Sequence, residues 1–397
     1  MSNMQNKISE AENVLYKAYN RYQVVLDHGQ GAKLYDTDGN EYIDFFAGIG
    51  VVGLGCHYPG YDEALKAQID KMLHVSNMFY TEPAVNAGKK ILAASGMDKV
   101  FFTNSGTEAI EGALKIARRY SYSKNKDHER FEIIAMDHSF HGRSMGALSV
   151  TGKQQYREPF EPLIPGVKFA EFNNLDSVKA LVNEHTCGII LEPLQGEGGI
   201  YPGTDEFLKG VRELADANDL ILIFDEVQCG MGRTGKYFTW QHSGVKPDVM
   251  CVAKAIGNGV PVGAFLTCGK ANTAMVPGDH GTTYGGNPFV CAAVDAVFSI
   301  FEKDDIIGHV NEMGAYIKEK LLALKAKNPH IIDVRGRGLM MGVEFDAPVA
   351  PIIEKALLKE KLILINAGAN IIRILPPLVI TKEEADEAVA RLERAME

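Results

Sequence analysis

Lys254 is the residue whose position most directly indicates chemistry. It follows a mostly apolar run at residues 249–253, and Gly257 and Gly259 come soon after it. Burial disfavours the ammonium form of a lysine and lowers its pKa, so that a neutral amine becomes available to form an imine with a carbonyl compound. Taken alone, a structural lysine whose aliphatic stem packs on apolar neighbours is an equally good interpretation.

Asp225 and Glu226 form a second candidate. They follow the apolar run at residues 220–224, at what we expect to be the carboxyl end of a strand. Open α/β sheets bind ligands at that end. A buried carboxylate needs a cationic partner. A protonated pyridine nitrogen would provide one, and a magnesium ion bound as in Walker B sites is the competing interpretation.

The tripeptide Ser-Gly-Thr at residues 105–107 predicts an anion site. It lies between an apolar run and an expected helix, and Ser105 with Glu108 matches a capping box. A helix N-terminus presents free N–H groups, and Gly106 allows an anion to approach the backbone closely. An ordinary N-cap is the more common origin of this motif alone. Together with Lys254 and Asp225, however, it completes a set of partners for a phosphate, an aldehyde and a pyridine nitrogen, which favours a cofactor lysine.

Two other segments carry residue types that could act at a site. The stretch Gly-Met-Gly-Arg-Thr-Gly-Lys at residues 230–236 fits a nucleotide-binding loop, but Tyr237 stands where such a loop needs Ser or Thr. In the segment His-Ser-Phe-His-Gly-Arg at residues 138–143, Phe140 could stack on a flat cofactor. For His138 and His141 we expect ordinary loop hydrogen bonds.

From about residue 99 to 269, short apolar runs alternate with amphipathic stretches along the sequence. This pattern is typical of an α/β fold with a mainly parallel sheet, and its strands and helices must position the candidate residues. Helical periodicity follows, and a capping box at Thr381 and Glu384 predicts the start of a last helix. The expected strands are 100–103, 132–136, 188–192, 220–225, 249–253, 263–267, 331–333, 339–345, 362–365 and 371–374, and the expected helices are 288–302, 306–327 and 350–360.

A chain of 397 residues exceeds what one core usually organises. We predict a large ligand-binding domain at residues 61–305 and a smaller α+β domain at residues 306–397. The segment 1–60, with a hairpin signal at 33–45 and its turn at 36–40, is expected to join the small domain.

The composition of the chain argues against several kinds of binding partner and location. The formal charge is 41 minus 51, or −10, which argues against nucleic acid, and no apolar run approaches the length of a membrane span. The N-terminus lacks the apolar region of a secretory signal, so we expect a cytoplasmic protein. The 6 scattered cysteines indicate free thiols and no metal site.

Taken in order, the motifs resemble those of the class III pyridoxal-phosphate-dependent aminotransferases, and among them those of the acetylornithine enzymes most closely. The similarity runs from about Tyr35 to the C-terminus. The matching segments are residues 76–80, 103–108, 139–143, 146–152, 192–199, 225–228, 232–235, 253–254, 281–288 and 373–377.

The resemblance implies fold type I, with a large domain built on a seven-stranded, mainly parallel sheet, and a homodimer whose subunits share their active sites. It implies that Lys254 carries pyridoxal 5′-phosphate and shuttles the proton, while Asp225 keeps the pyridine nitrogen protonated. On the same basis Gly106 and Thr107 bind the phosphate beside Ser105, Phe140 and Val227 enclose the ring, Gln228 approaches the 3′-oxygen, and Thr283 comes from the second subunit.

The resemblance also implies which residues bind substrate. Arg373 would bind the α-carboxylate of glutamate or 2-oxoglutarate, and Glu197 would pair with that arginine when the other substrate is bound. Arg143 would hold the distal carboxylate of N2-acetylornithine, with Thr282 of the neighbouring chain nearby. The role of Glu192 stays open.

The implied reaction transfers the terminal amino group of N2-acetylornithine to 2-oxoglutarate in a ping-pong cycle of arginine biosynthesis. Succinylornithine, GABA and ornithine are alternative donors, and a nucleotide-binding protein is the alternative from another class. Ile49 argues against free ornithine and Thr107 against GABA. Ile110 and the departure Cys-His-Tyr at residues 56–58 leave the donor open.

Overall fold

The computed structural model describes residues 3–126 and 128–397; Met1 and Ser2 of the predicted N-terminal segment lie outside it, as does Asp127. Strands are labelled in chain order: β1 Leu26–Gln30, β2 Lys33–Asp36, β3 Glu41–Asp44, β4 Lys99–Thr103, β5 Glu132–Met136, β6 Val167–Ala170, β7 Thr186–Leu191, β8 Leu194–Gln195, β9 Tyr201–Pro202, β10 Ile221–Asp225, β11 Val249–Val252, β12 Gly263–Thr267, β13 Ile331–Arg337, β14 Met340–Phe345, β15 Leu362–Ile363, β16 Ile365–Asn366 and β17 Ile371–Ile374.

Helices are labelled in the same way: α1 Asn3–Val14, α2 Ala47–Gly50 (a left-handed turn), α3 Tyr61–Ile69, α4 Glu82–Ser95, α5 Gly106–Asn125, α6 Met145–Ser149, α7 Gln154–Arg157, α8 Leu175–Leu181, α9 Asp205–Ala217, α10 Trp240–Ser243, α11 Pro288–Lys303, α12 Ile306–Lys327, α13 Ala350–Leu358 and α14 Lys382–Met396.

The large domain is organised by a 7-stranded sheet with the order β4-β12-β11-β10-β7-β5-β6. Strand β12 runs antiparallel to both of its neighbours, and the other pairs are parallel. Every residue of β7, β10, β11 and β12 is buried, as expected for a sheet covered by helices on both faces. The mainly parallel α/β fold predicted from the sequence is therefore confirmed.

The predicted strands of this sheet all exist, with ends displaced by at most two residues. Strand β6, Val167–Ala170, is an addition that the sequence pattern did not predict. It lies at the edge of the sheet, beside β5 alone, and three of its four residues are partly exposed. An edge strand needs no continuous apolar run, and its polar Lys168 hides the signal.

One edge of the sheet collects the chemically interesting residues. Asp225 is the last residue of β10, and Lys254 follows β11, which pairs with β10 in parallel. Strand β4 is antiparallel to β12, which is itself antiparallel to β11, so β4 has the direction of β11 and leads into α5 at the same edge. This topology brings three distant segments together.

The N-terminal and C-terminal segments share a sheet. Strands β2 and β3 form the predicted hairpin, and β15 from the C-terminal region extends it by pairing with β3 in parallel. A second sheet, in the order β13-β14-β17-β16, is antiparallel throughout. The arrangement is that of a small α+β unit, and the domain boundaries at residues 60 and 305 stay predictions.

The two predicted capping boxes differ in outcome. At α14, the Thr381 hydroxyl accepts from the Glu384 N–H and the Glu384 carboxylate accepts from the Thr381 N–H, as predicted. At α5, Ser105 accepts from the N–H of Glu108 at 3.3 Å, but the Glu108 carboxylate accepts from the backbone and side-chain amides of Asn104 instead. The prediction of a capping box at α5 was therefore half wrong, because the Glu108 carboxylate is bonded to Asn104 and not to the N–H of Ser105.

The described residues contain no helix that is both long and apolar enough to cross a membrane. The predicted free thiols are confirmed: all of the cysteines are unpaired. Cys187, Cys229, Cys251 and Cys291 are buried.

Candidate active site

A cavity of about 490 Å³ opens at the edge of the sheet where Asp225 and Lys254 lie. Its size is within the range of cavities that hold a cofactor or small ligand. Most of the residues predicted for a site line it: Ser105, Gly106, Thr107, Phe140, Arg143, Glu197, Asp225, Val227, Gln228 and Lys254.

Asp225 forms the floor of the cavity and is buried. One carboxylate oxygen lies 2.8 Å from Nδ1 of His141, and the other accepts from the N–H of Val227 at 2.9 Å. His141 is also buried, and its Nε2 has no hydrogen-bond partner among the described residues. The expectation of an ordinary loop hydrogen bond for His141 was wrong, because the loop after β5 turns this ring towards the end of β10.

Glu192 lies beside this pair and also lines the cavity. Its two oxygens accept from the backbone N–H groups of Phe140 and Gly196. Burial, together with the charge of Asp225, raises the pKa of Glu192 well above its usual range.

The donor atoms of His141, Glu192 and Asp225 lie within 4.8 Å of one another, as in metal sites. Each carboxylate oxygen of the group already accepts a hydrogen bond inside the chain. These bonds account for the cluster as a network that fixes Asp225.

Lys254 begins a short helical turn after β11, with a positive φ of 51°. A left-handed conformation costs a non-glycine residue about 1–3 kcal/mol, and such strain concentrates at functional sites. Burial lowers the pKa of Lys254, although the nearby Asp225 acts in the opposite direction. The ammonium nitrogen has no hydrogen bond or ion pair to another described residue. Lys254 lines the cavity.

The start of α5 has the local geometry that the predicted anion site requires. The first N–H groups of a helix have no partner within it. At Gly106 a methyl group would lie 2.8 Å from Cγ1 of Val227, so only glycine lets the backbone approach this close. The Thr107 hydroxyl lies 2.7 Å from that of Ser144, which in turn donates to Glu111. The Thr107 hydroxyl is therefore already engaged, and its backbone N–H is the free donor.

Arg373 lies on β17, and its guanidinium is completely buried. It forms an ion pair with Glu197 at 2.8 Å and donates to the side-chain oxygen of Gln228 at 2.9 Å, while its Nε has no partner among the described residues. Burial favours a raised pKa for Glu197, but the charge of Arg373 and its hydrogen bond outweigh burial and lower the pKa. The pair is therefore charged at neutral pH.

Phe140 and Arg143 lie at the side of the cavity, on the loop after β5. Arg143 is exposed, and the centre of its guanidinium lies 3.9 Å from the centre of the Tyr156 ring. Tyr156 was not singled out in the sequence, because a tyrosine in a polar stretch carries no motif.

Thr282 and Thr283 do not line this cavity in their own chain. The Thr282 hydroxyl accepts from the Asn104 side chain at 3.2 Å, which ties it to the rim of its own subunit's cavity. Thr283 is exposed and borders a separate small cleft beside residues 74–79. A role for either residue in the site of a second subunit stays a prediction.

The two competing interpretations lose their structural basis. Glu226 turns away from Asp225 and accepts from the N–H groups of Thr239 and Trp240, at 2.6 and 2.7 Å. The glycine-rich loop at residues 230–236 packs on the small domain, where buried Arg233 donates to the carbonyls of Leu339 and Pro376. The segment is thus a structural loop, and no α-helix begins directly after it.

Comparison with known proteins identifies the class. The model of the aminotransferase class-III family matches residues 15–396. The acetylornithine aminotransferase of Clostridium acetobutylicum is 48% identical over 97% of this chain and 100% of that protein. The acetylornithine aminotransferase of Methanocaldococcus jannaschii is 45% identical over 94% of each. The chain belongs to the class III aminotransferase family.

Solved structures agree with this assignment. An ornithine aminotransferase from Toxoplasma gondii, reported with partial occupancy of PLP at its active site, has a TM-score of 0.94 at 29% identity, covering 99% of this chain and 94% of that one. The N-acetylornithine aminotransferase of Stenotrophomonas maltophilia K279a has a TM-score of 0.85 at 33% identity, covering 98% of each chain. The fold is therefore that of a pyridoxal-phosphate transferase of fold type I.

Proposed function

We propose that the cavity binds pyridoxal 5′-phosphate. The residues fit this group at each of its polar ends: the free N–H groups at the start of α5 suit a phosphate, Asp225 suits a protonated pyridine nitrogen, and unpaired Lys254 suits an aldehyde. When bound, the cofactor withdraws electrons from the carbon that carries the substrate's amino group.

The protein's own groups perform the rest of the chemistry. With the cofactor bound, Lys254, whose pKa is lowered by burial, would accept at its Nζ the proton from the carbon that carries the amino group and would afterwards donate it again. Asp225 would lie opposite the pyridine nitrogen, held in place by His141 and the N–H of Val227. Phe140 and Val227 are placed to limit movement of the flat ring.

The observation that carries the substrate proposal is the Arg373–Glu197 pair. A buried arginine that pairs with a glutamate at the cavity wall can bind an α-carboxylate when the glutamate swings aside, and it is neutralised when the substrate has no carboxylate there. One site can thus accept glutamate, with a carboxylate beside its reacting carbon, and an ω-amine, without one. Arg143 lies at the exposed side of the cavity, which we call its mouth. There its guanidinium is free to bind the distal carboxylate of the ω-amine.

We infer that the donor is N2-acetylornithine and the acceptor 2-oxoglutarate, as the names of the similar enzymes also indicate. The reaction gives N-acetylglutamate 5-semialdehyde and glutamate and belongs to arginine biosynthesis. A cytoplasmic location is part of this proposal.

The test is the specificity constant of the purified enzyme for N2-acetylornithine, succinylornithine, ornithine and GABA, each with 2-oxoglutarate. We expect N2-acetylornithine to be the best donor, with GABA at least about a hundredfold poorer because it lacks a carboxylate at the distance of Arg143. A preference for GABA or free ornithine would refute the donor assignment and leave the aminotransferase class intact.

We further propose a homodimer whose subunits complete each other's sites. Exposed apolar side chains cluster in residues 69–85 and at Tyr284, next to exposed Thr283, and such a patch is typical of a protein interface. Mixing two inactive variants, Lys254→Ala and Thr283→Trp, tests this. Subunit exchange should restore activity, since one heterodimer site has both native residues. No recovery in a mixture that demonstrably contains heterodimers would contradict the shared site.

A further inference from the structure

Arg143 differs from the other arginine of the site in what holds it. Arg373 is buried and paired with Glu197, whereas the guanidinium of Arg143 has no ion pair or hydrogen bond among the described residues. Its contacts are with rings: the guanidinium centre lies 3.9 Å from the ring centre of Tyr156 and 5.3 Å from that of Phe140. All of its N–H donors therefore remain available.

The Tyr156 ring is itself held in place. It meets Phe140 edge-on, with ring centres 6.2 Å apart and planes at 88°. Its short helix α7 is anchored by Arg157, which donates to the carbonyl of Thr151 at 2.6 Å and stacks on Phe169. The Tyr156 hydroxyl makes no hydrogen bond with another described residue. Among the described residues, the polar and aromatic contacts of this side chain are thus made by the ring.

The Tyr156 ring also has a second cation nearby. The ammonium nitrogen of Lys153 lies 5.6 Å from the ring centre and donates to the backbone carbonyl of Glu197 at 2.7 Å. The Tyr156 ring therefore contacts Arg143 directly and is near Lys153, which in turn is bonded to the backbone of Glu197.

We propose that Tyr156 is a positioning residue for substrate specificity: its ring fixes the plane of the Arg143 guanidinium so that it receives the distal carboxylate of the amino donor through two parallel hydrogen bonds. An unrestrained arginine loses side-chain entropy on binding, and a stacked one has already lost it. The inference rests on the proposed function, since it concerns a donor with a distal carboxylate.

The experiment measures binding of N-acetylnorvaline to the cofactor-loaded enzyme by calorimetry. This compound has the acetamido group and carboxylate of N2-acetylornithine but no terminal amine, so no reaction occurs. We expect Tyr156→Leu to weaken binding about fivefold, because a cation–π contact and the fixed orientation are both lost. Tyr156→Phe should bind within about twofold of the wild type, because it keeps the ring.

A double-mutant cycle separates positioning from a general structural effect. In an Arg143→Ala background, Tyr156→Leu should have no further effect on binding, because the group that it positions is absent. The rate of the amine half-reaction with n-butylamine, which has no carboxylate, should be the same in Tyr156→Leu as in the wild type.

Equal affinity of the wild type and Tyr156→Leu for N-acetylnorvaline, or additive losses in the cycle, would overturn the role of Tyr156 and leave the donor assignment standing. If the wild type itself does not bind N-acetylnorvaline, the donor assignment fails and the inference fails with it. The wild-type measurement thus distinguishes the two failures.

Discussion

The floor and the mouth of the cavity are built on opposite principles. At the floor, Asp225 is buried and both of its oxygens are occupied, by His141 and by a backbone N–H. At the mouth, Arg143 is exposed and rests on an aromatic ring, and it has no charged partner among the residues that the structure describes. The floor is determined by many directional bonds in a low dielectric, whereas the mouth keeps its hydrogen-bonding capacity for a ligand.

The Arg373–Glu197 pair lies between these extremes. It is buried like the floor, but its partner Glu197 lies at the cavity wall, where a carboxylate ligand can replace it. The comparison shows that one cavity combines a floor fixed by several internal hydrogen bonds with a charged pair whose carboxylate faces the cavity.

The largest effect is expected at the floor. Replacing Lys254 with Ala should reduce turnover by about 10⁴-fold, because no other amine at the site can move the proton. The visible absorption band of the lysine-bound cofactor should also disappear. Lys236→Ala, in the glycine-rich loop, is the matched control and should leave both unchanged. A Lys254→Ala enzyme that kept the band would break the assignment.

Asp225→Asn should be the next largest change, with turnover reduced about a thousandfold, because a neutral amide does not stabilise a protonated ring nitrogen. Its thermal stability should change little, since the amide oxygen can still accept from the N–H of Val227 and the amide NH2 group can donate to Nδ1 of the other His141 tautomer. Turnover and Tm measured on the same preparation check both statements. Retention of more than a tenth of the activity would contradict the role of Asp225 in stabilising a protonated ring nitrogen.

Glu197→Gln tests the Arg373–Glu197 pair, which is intermediate between the floor and the mouth. Without a competing carboxylate, Arg373 should attract the α-carboxylates of glutamate and 2-oxoglutarate more strongly. The KM for glutamate should therefore fall, and the ratio of specificity constants should shift about tenfold towards glutamate. Half-reaction rates with glutamate and with N2-acetylornithine measure that ratio. Glu344→Gln, which removes a partner of Arg335 elsewhere in the small domain, is the control. An unchanged ratio would contradict the exchange of partners.

Glu226→Gln should have the smallest effect and should concern stability alone. Burial raises the pKa of Glu226 from 4.5 to about 7, although the N–H groups of Thr239 and Trp240 act against the shift. A raised carboxyl pKa stabilises the fold most at low pH, and that contribution is lost as pH rises from 4.5 through about 7. The Tm difference between the variant and the wild type should therefore change across this interval. A constant difference with reduced turnover would instead place Glu226 at the floor.

The order of elements was largely predictable from sequence. Apolar runs predicted both ends of β5 and of β12 correctly, and helical periodicity predicted both ends of α12, Ile306 and Lys327. The edge strand β6 escaped because half-exposed residues have no such pattern. The candidate residues at the strand ends were predictable for a related reason, since the carboxyl edge of a parallel sheet gathers them whatever lies between.

The partners of these residues were less predictable. Asp225 and Lys254 could be named from their runs, but the bond from His141 to Asp225 joins positions 84 residues apart. The Glu108 carboxylate is bonded to Asn104 and not to the predicted Ser105. Tyr156 belongs to no sequence motif. Local patterns report periodicity and chemical type, and they contain no information on which side chains meet.

The sequence by itself thus determined the class of fold and the candidate positions of the lysine, the aspartate and the helix start at Gly106, because each depends on residues adjacent in the chain. The tertiary structure alone decided that the Lys254 side chain has no partner among the described residues, that Arg373 pairs with Glu197 and that Arg143 rests on Tyr156. Those features depend on burial and on distances between remote segments, which packing of the whole chain fixes.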